Sequence, residues 1–213
     1  NYDPDKRTVY AKVYDEEIHY EIGAPGIHMA MNSLACIAGI LALNLPLKPA
    51  LAQFELFAPV SGRGVVHDLH IAGKTLRVLD ESYNANPASM QAAIHLAGEI
   101  QPPKPNGRKV FVLGDMLELG LDSGKLHEGL LLPIVSAEPD LVILCGNEMK
   151  SLFLVLRKRI DTLRCENSDD LNAMILKHIK DGDLILIKSS GGTGLSKTVK
   201  YLKERSEVKS LCL

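Results

Sequence analysis

Short apolar runs separated by helical stretches are the feature that most constrains how this chain can fold. Residues 109–113, 140–145 and 184–188 read KVFVL, DLVILC and LILIK, with few polar side chains inside the runs. A strand that is apolar on both faces is typical of a parallel sheet covered by helices on both sides. The segments between these runs have the hydrophobic periodicity of helices, as this kind of sheet requires. The sequence therefore predicts an α/β fold with a Rossmann-like, doubly wound and mostly parallel sheet from about residue 62 onward.

Further elements are predicted around these three strands. A hairpin over 7–22 turns at 15–17, and a second hairpin pairs 65–71 with 75–79. A short strand is predicted near 161–165. The predicted helices cover 28–43, 48–57, 88–100, 123–136, 147–158, 168–179 and 193–204.

The segment 59–64, PVSGRG, is the predicted domain boundary. It contains a proline, a serine and two glycines, and the hydrophobic periodicity changes there. The predicted domains are therefore 1–61 and 62–213. The chain opens with the polar stretch NYDPDKRTVY and without a methionine, so we expect it to be a fragment of a longer protein.

The charge and the cysteines argue against several classes of protein. The net charge of −2 provides no concentrated basic surface, so nucleic-acid binding is not expected. Cys36, Cys145, Cys165 and Cys212 lie far apart without a C-x-x-C pair, which argues against a zinc knuckle or a redox pair. We expect buried thiols in a reducing compartment, and hence a cytoplasmic protein.

Residues 26–47 carry no charge and are about as long as a bilayer span. However, this stretch contains histidine, asparagine, serine and proline, and it is rich in alanine and glycine. Polar groups at this density are costly in lipid. We therefore expect a helix that packs inside the protein and no membrane insertion.

Three of the predicted strands end in unusual polar residues. These ends read LDESYNANPASM at 79–90, LGDMLELG at 113–120 and KSSGGTG at 188–194. The carboxyl ends of parallel strands lie along one edge of the sheet, where α/β proteins bind their ligands. The sequence therefore predicts that the three stretches converge on one site.

The first of these stretches combines local and functional signals. Asn86 and Pro87 are explained by the start of a helix, because asparagine caps and proline occupies the first turn. Asp80 and Glu81 beside Tyr83 have no such local explanation. A carboxylate at a strand's carboxyl end suits the hydroxyls of a ribose.

The second stretch leaves two interpretations open. Asp115 and Glu118 are either solvated loop acids or ligands for an amine. His127, on the following helix, is expected to be a surface or partly buried histidine.

The third stretch continues as GGTGLSKT over 191–198, which is close to the P-loop pattern G-x-x-x-x-G-K-[ST]. Ser196 stands where that pattern requires the glycine before the lysine. The segment could be a degenerate P-loop, a plain flexible helix cap, or a loop that faces an anion or a substrate.

Four of these features together resemble the Mur ligases. DESYNANPASM, VLGDMLELG, a downstream His127 and a strand ending in KSS occur here in that family's order. The resemblance is strongest to the members that add D-alanyl-D-alanine to UDP-N-acetylmuramoyl-tripeptide, the MurF type. Upstream, GIHMAMNSLACIAG is similar to the family's G-x-H-x-x-x-N-x-x-A segment, and residues 61–63 are similar to the G-R that opens its C-terminal domain.

The resemblance implies a role for each candidate residue. Asn32 and the nearby His28 would face adenine, and Arg63 would lie against the nucleotide phosphates. Glu81, or its neighbour Asp80, would hold the ribose. The residues implied to border the cleft or contact substrate are Tyr83, Asn84, Asn86, Asp115, Glu118, His127, Lys188 and Ser190.

Two positions depart from the family pattern. The last loop reads Lys188-Ser189-Ser190-Gly191 where the family often has Lys-Gly-Ser-Arg, and the ribose position reads Asp80-Glu81 where it often has Asp-Asp. The family's P-loop, magnesium-binding acids and modified lysine belong to an earlier part of its central domain. The resemblance thus identifies 1–61 as the end of the central ATP-binding domain and 62–213 as the C-terminal domain.

The function implied by the resemblance is ATP-dependent amide bond formation through an acyl phosphate, in peptidoglycan precursor synthesis and cell wall biogenesis. The expected ligands are ATP, Mg²⁺ held outside this chain, D-alanyl-D-alanine and UDP-N-acetylmuramoyl-tripeptide. We expect the chain alone to be inactive. Three alternatives remain: a Mur-type ligase for a single amino acid, a stand-alone nucleotide-binding enzyme using 191–198, and a non-catalytic binding module.

Overall fold

The computed structural model describes residues 1–57 and 61–206, and the chain divides into two compact units at residues 60 and 61. Within the predicted boundary segment 59–64, residues 59 and 60 lie outside the described residues. Each unit has a hydrophobic core of its own.

The first unit is a small antiparallel sheet packed against two helices. Tyr20 and Ile37 are central to its core, and the Tyr20 hydroxyl lies 2.7 Å from the Ser33 hydroxyl in a buried hydrogen bond. The elements are β1 (Tyr2–Asp3), β2 (Thr8–Val13), β3 (Glu16–Glu21), α1 (Ile27–Ala42) and α2 (Leu47–Phe54).

The predicted hairpin is confirmed, but its turn is one residue earlier than predicted. Val13 pairs with Glu16, which leaves Tyr14 and Asp15 as a two-residue turn, and Tyr14 adopts φ 53°. Such tight turns match the twist of the strands when the backbone enters the left-handed region. The strand β1 was not predicted.

The second unit is the predicted α/β domain, with a six-stranded sheet and helices on both faces. Its strands are β4 (Val65–Ile71), β5 (Lys74–Glu81), β6 (Lys109–Gly114), β7 (Leu141–Cys145), β8 (Thr162–Cys165) and β9 (Leu184–Lys188). Its helices are α3 (Pro87–Glu99), α4 (Ser123–Glu128), α5 (Leu131–Ser136), α6 (Lys150–Leu156), α7 (Ser168–His178) and α8 (Leu195–Glu204).

The sheet order is β4-β5-β9-β6-β7-β8, and only β4 runs antiparallel to its neighbour. Alternate side chains of each strand point to opposite faces, so Val110 and Val112 enter one core cluster while Phe111 and Leu113 enter the other. One cluster packs against α7 and α8, and the other against α3 to α6. Two separate cores explain why the strands are apolar throughout.

Several predicted boundaries are wrong in this unit, and the helix predicted over 147–158 covers only Lys150–Leu156. The predicted strand 75–79 continues through Asp80 and Glu81, because both residues pair with β9. The predicted helix 123–136 is two helices, α4 and α5, because Pro133 has no N–H and its ring excludes a helical carbonyl four residues earlier, at Gly129. The last helix starts at Leu195 rather than 193, after a 3-10 turn over Gly191–Thr193.

The cysteines only partly follow the prediction of buried thiols. Cys145 and Cys165 are buried at neighbouring positions of β7 and β8. Cys36 is exposed on α1, which corrects the prediction there, and Cys212 lies outside the described residues. Among residues 1–57 and 61–206, no helix combines the length and the apolar character needed to cross a bilayer.

Candidate functional site at the carboxyl ends of the strands

The carboxyl ends of β5, β6 and β9 bring the three predicted polar stretches together. Lys188 at the end of β9 is the register neighbour of Glu81 on β5 and of Leu113 on β6. Since β9 lies between the other two strands, its end contacts both of their following loops. We call residues 62–63, 80–86, 114–118 and 188–191 the carboxyl-edge site.

Asp80 is buried and holds the backbone around it. Its carboxylate accepts hydrogen bonds from the Gly62 N–H at 3.0 Å, the Ser82 N–H at 3.1 Å and the Ser82 hydroxyl at 2.6 Å. Only 2% of Asp80 is exposed. Gly62 is restricted to glycine, because it adopts φ 79° and a Cβ there would lie 2.8 Å from the Tyr83 nitrogen. These contacts favour Glu81, not Asp80, as the carboxylate that can meet a ligand.

Glu81, which is partly exposed, forms an ion pair with the buried Lys188. The Glu81 Oε2 and the Lys188 Nζ are 3.6 Å apart, and Lys188 also donates to the Asn84 carbonyl at 3.0 Å. Burial lowers the pKa of Lys188, while the charge of Glu81 acts in the opposite direction. The lysine thereby fixes a carboxylate that is 12% exposed and the loop that follows it.

Arg63 and Tyr83 form an exposed platform at the same edge. The Arg63 guanidinium lies 4.2 Å from the centre of the Tyr83 ring, within the range of a cation–π contact. Tyr83 is 55% exposed, and its N–H donates to the Gly62 carbonyl at 3.0 Å. The platform offers both a cationic fork and an aromatic surface to an anionic or planar ligand.

The two asparagines of the NANP sequence have different surroundings. Asn86 caps α3: its side chain accepts from the Ser89 N–H at 2.8 Å, and the Ser89 hydroxyl accepts from the Asn86 N–H at 3.0 Å. The local interpretation of Asn86 and Pro87 as a helix start is thus confirmed. Asn84 is exposed, and its side-chain oxygen accepts from the Ala85 N–H.

Asp115 is held at the start of a neighbouring helix instead of facing outward. Its Oδ1 accepts from the Met149 N–H at 3.0 Å, one residue before α6, and a Cβ on Gly146 would lie 2.3 Å from its carboxylate. Burial raises the pKa of Asp115, and the backbone hydrogen bonds oppose that rise. Glu118, in contrast, is exposed and adopts φ 63°.

His127 is fully buried, so the prediction of a surface or partly buried histidine is wrong. Its Nε2 accepts from the Met116 N–H at 3.0 Å, and its Nδ1 lies 2.7 Å from the Ser123 carbonyl oxygen. This pair of partners fits a neutral ring that is protonated on Nδ1. The histidine thereby holds the loop after β6 through the Met116 N–H.

Ser190 is buried at the junction of two loops. Its hydroxyl accepts from the Leu117 N–H at 3.0 Å and donates to the Ala85 carbonyl at 3.3 Å, and its N–H donates to the Asp115 carbonyl at 3.0 Å. The next residue, Gly191, has no room for a side chain, because a Cβ would lie 2.8 Å from the Tyr83 carbonyl oxygen.

His28 and Asn32 belong to the first unit. They are four residues apart on α1 and therefore share one face of that helix. Asn32 is exposed, whereas His28 is half-buried with its ring against Gly26.

The predicted site residues therefore fall into two groups within the second unit. One group is buried and holds backbone groups: Asp80, Asp115, His127, Lys188 and Ser190. The other group reaches the surface: Arg63, Glu81, Tyr83, Asn84, Asn86 and Glu118.

Two residues at this end of the sheet were missed by the sequence reasoning. Ser82 is almost fully buried as the partner of Asp80, which no sequence pattern indicates. Glu148 follows the end of β7 and accepts from the Ser123 hydroxyl at 2.6 Å. The strand-end rule applied to β7 would have identified Glu148.

The described residues do not provide an evident metal site. Across 1–57 and 61–206, no three histidine, cysteine, aspartate or glutamate side chains come together in a group that could hold a metal ion. The chemistry available at the carboxyl-edge site is hydrogen bonding, charge and aromatic contact.

The chain is similar to a known protein family and to individual proteins with related names. Residues 69–191 match the family described as "Mur ligase, glutamate ligase domain". The chain is 29% identical over 216 residues to the UDP-N-acetylmuramoyl-tripeptide--D-alanyl-D-alanine ligase of Treponema pallidum, covering 95% of this chain and 45% of that protein.

Two solved structures share the fold. The MurF of Acinetobacter baumannii superposes with a TM-score of 0.74 at 24% identity, covering 92% of this chain and 42% of that one. The MurF ligase of Thermotoga maritima in complex with ADP gives 0.68 at 19% identity, covering 93% and 46%. The chain thus spans less than half the length of these relatives.

Proposed function

The chain belongs to the Mur ligase family, and on that premise we propose that the protein containing it adds D-alanyl-D-alanine to UDP-N-acetylmuramoyl-tripeptide at the expense of ATP. This reaction is a cytoplasmic step of peptidoglycan precursor synthesis. The observation that carries the proposal is the convergence of the DESYNAN, GDMLELG and KSS stretches on one edge of the sheet. The curated relative from Treponema pallidum bears the name of this reaction.

The proposed reaction has two chemical steps. A carboxylate oxygen of the tripeptide attacks the γ-phosphorus of ATP, the bond to the bridging oxygen breaks, and ADP leaves. The uncharged amine of D-alanyl-D-alanine then attacks the acyl carbon, the bond to the phosphate oxygen breaks, and inorganic phosphate leaves with the amine having lost its proton. Charge that develops on oxygen in both steps requires fixed positive groups or dipoles nearby.

On the nucleotide side, we assign Glu81 to the ribose hydroxyls. It is the member of the Asp80-Glu81 pair whose carboxylate remains near the surface, since Asp80 is committed to three hydrogen bonds. Arg63, on its Tyr83 platform, is assigned to the phosphates, for which a guanidinium fork is well suited. His28 and Asn32 are assigned to adenine on the first unit.

On the dipeptide side, we assign Tyr83, Asn84 and Glu118. All three are exposed, and they offer an aromatic face, an amide and a carboxylate. A carboxylate is the natural acceptor for the dipeptide's ammonium, and an amide N–H can donate to its carboxylate. Asp115 supports this side from below as the acceptor for the turn before α6.

Magnesium is the usual counter-ion of ATP in phosphoryl transfer. The described residues offer no cluster for it, so we assign no residue of this chain to the metal and route no step through it. A magnesium site of the proposed enzyme would lie in other parts of the protein.

The proposal is tested by phosphate release from the full-length protein. We expect release that requires ATP, UDP-N-acetylmuramoyl-tripeptide and D-alanyl-D-alanine together. Release with D-alanine or another single amino acid in place of the dipeptide would support the alternative Mur-type ligase instead. We expect no release from the 213-residue chain alone, and dipeptide-dependent release from it would contradict that expectation.

Two variants, with a third as a control, separate this proposal from the P-loop alternative. Glu81→Gln should raise the KM for ATP about tenfold, because a ribose contact is lost, whereas Glu128→Gln, an exposed acid on α4, should change it little. Lys197→Ala should leave ATP use unchanged under our proposal. Loss of nucleotide binding in Lys197→Ala would support a degenerate P-loop at 191–198.

A further inference from the structure

We propose that Ser190 is a positioning residue that fixes the loop after β5 relative to the loop after β6, and so sets the affinity for the incoming dipeptide. The inference rests on the proposed function for its substrate but not for its geometry. The resemblance to the Mur ligases implies that Ser190 lines the cleft for substrate. In the structure its hydroxyl donates to one loop's backbone and accepts from another's.

The Ser190 hydroxyl links two loops by hydrogen bonds, and we call this link the bridge. Ser190 Oγ accepts from Leu117, which belongs to the GDMLELG loop, and donates to Ala85, which belongs to the DESYNAN loop. Ser190 is only 5% exposed, so its own hydroxyl has little access to water other than through these partners. Both loops carry proposed dipeptide contacts within one or two residues of the bridge, namely Asn84 on one side and Glu118 on the other.

Two neighbouring side chains, Lys188 and His127, hold other groups of these loops. Lys188 holds the carbonyl of Asn84 and also the carboxylate of Glu81, so it acts on both the dipeptide and the nucleotide sides. His127 holds the N–H of Met116, one residue before Leu117. Within residues 1–57 and 61–206, Ser190 is the side chain that hydrogen-bonds to both loops, so its removal should act mainly on their relative position.

Two measurements on the full-length protein test the inference. In Ser190→Ala, hydrogen exchange at the Leu117 amide should accelerate by about tenfold or more, since that N–H loses its acceptor. Exchange at Met116, which is held by His127, should remain slow. In the same variant the KM for D-alanyl-D-alanine should rise about tenfold, while the KM for ATP should stay within about twofold.

The matched control is Ser136→Ala. Ser136 is an exposed serine at the end of α5, just before β7 begins, and so lies at the opposite end of the sheet. It should change neither readout. Lys188→Met is the positive comparison, because it should raise the KM for both the dipeptide and ATP.

The outcomes are distinguishable. Unchanged Leu117 exchange in Ser190→Ala would overturn the inference, and so would faster exchange with an unchanged KM for the dipeptide, which would leave the bridge as a purely structural bond. Absence of dipeptide-dependent phosphate release from the unmodified protein would overturn the proposed function instead. In that case the exchange measurement still decides whether Ser190 fixes the two loops.

Discussion

Glu81 and Lys188 are register neighbours on two adjacent parallel strands, and their charged groups meet 3.6 Å apart at the carboxyl edge of the sheet. Lys188 is 2% exposed, so the pair is largely removed from water. Such a pair contributes little net stability when both partners are present, but the loss of one partner leaves an uncompensated charge.

We expect Lys188→Met to destabilise the second unit by about 2 kcal/mol, because Glu81 loses its counter-charge and the Asn84 carbonyl its donor. The measurement is urea unfolding of the 213-residue chain. Lys158→Met, at an exposed lysine beyond α6, should stay within about 0.5 kcal/mol.

The double variant Lys188→Met/Glu81→Gln should recover part of this loss, since no unpaired charge remains. Additive effects of the two changes would show that the pair is not coupled, contrary to the structure.

The buried carboxyl of Asp115 should make stability depend on pH in the acidic range. Burial raises its pKa in the folded state above the unfolded value of about 3.9. The folded state therefore keeps this proton to a higher pH than the unfolded state does. The contribution of Asp115 to the free energy of unfolding is complete below the unfolded pKa and declines as pH rises through the raised pKa of the folded state.

The substitution Asp115→Asn isolates this effect, because the amide oxygen can still accept from Met149. The difference in unfolding free energy, variant minus unmodified chain, should increase as pH rises from 3.5 to 7. A difference that is flat or falls over this range would contradict the direction of the shift.

Asn86→Ala should mainly lower the stability, whereas Asn84→Ala should mainly raise the KM for the dipeptide. Asn86→Ala removes the capping box of α3 and should cost about 1 kcal/mol of stability, with a modest change in the KM for the dipeptide. Asn84→Ala should leave the Tm nearly unchanged and raise that KM. Thermal unfolding and steady-state kinetics on both variants check the contrast. Equal loss of stability in the two would argue against it.

Alanine substitutions at Gly191 and Gly192 test how closely the loops pack at the carboxyl-edge site. A Cβ at Gly191 would lie 2.8 Å from the Tyr83 carbonyl oxygen, which is backbone, whereas a Cβ at Gly192 would meet only the Leu117 Cδ1, the end of a flexible side chain. Gly191→Ala should therefore cost about 1–3 kcal/mol as an overpacking change.

Gly192→Ala should cost less than about 0.5 kcal/mol, as expected for a surface change that a side chain can accommodate. Chemical denaturation compares the two variants directly. A larger cost at 192 than at 191 would mean that the two loops do not pack as described.

The parallel sheet could be predicted because burial on both faces leaves a clear pattern in the sequence. KVFVL and LILIK have no polar face, and only a sheet covered on both sides explains that. The strand order could not be predicted, because the position of β9 between β5 and β6 depends on which face each connection crosses. The convergence of three polar strand ends followed from the fold class alone.

The separation of contact residues from supporting residues could not be predicted. Asp80 and Glu81 are adjacent acids, and only the continuation of β5 through both decides that one turns inward and the other toward Lys188. His127 appeared as an ordinary helical histidine, because its partner, the Met116 N–H, lies in the loop that precedes the helix. Side-chain orientation here depends on contacts that are distant in sequence.

The strand β9, which completes the centre of the sheet, follows the other five strands of that sheet in the chain. Until residue 188 has left the ribosome, β5 and β6 have no β9 between them, and neither Lys188 nor Ser190 is present to organise their loops. A nascent chain that stalls earlier thus presents two unsatisfied strand edges, which chaperones and proteases recognise. The position of β9 consequently makes translation beyond residue 190 a requirement for the complete carboxyl-edge site.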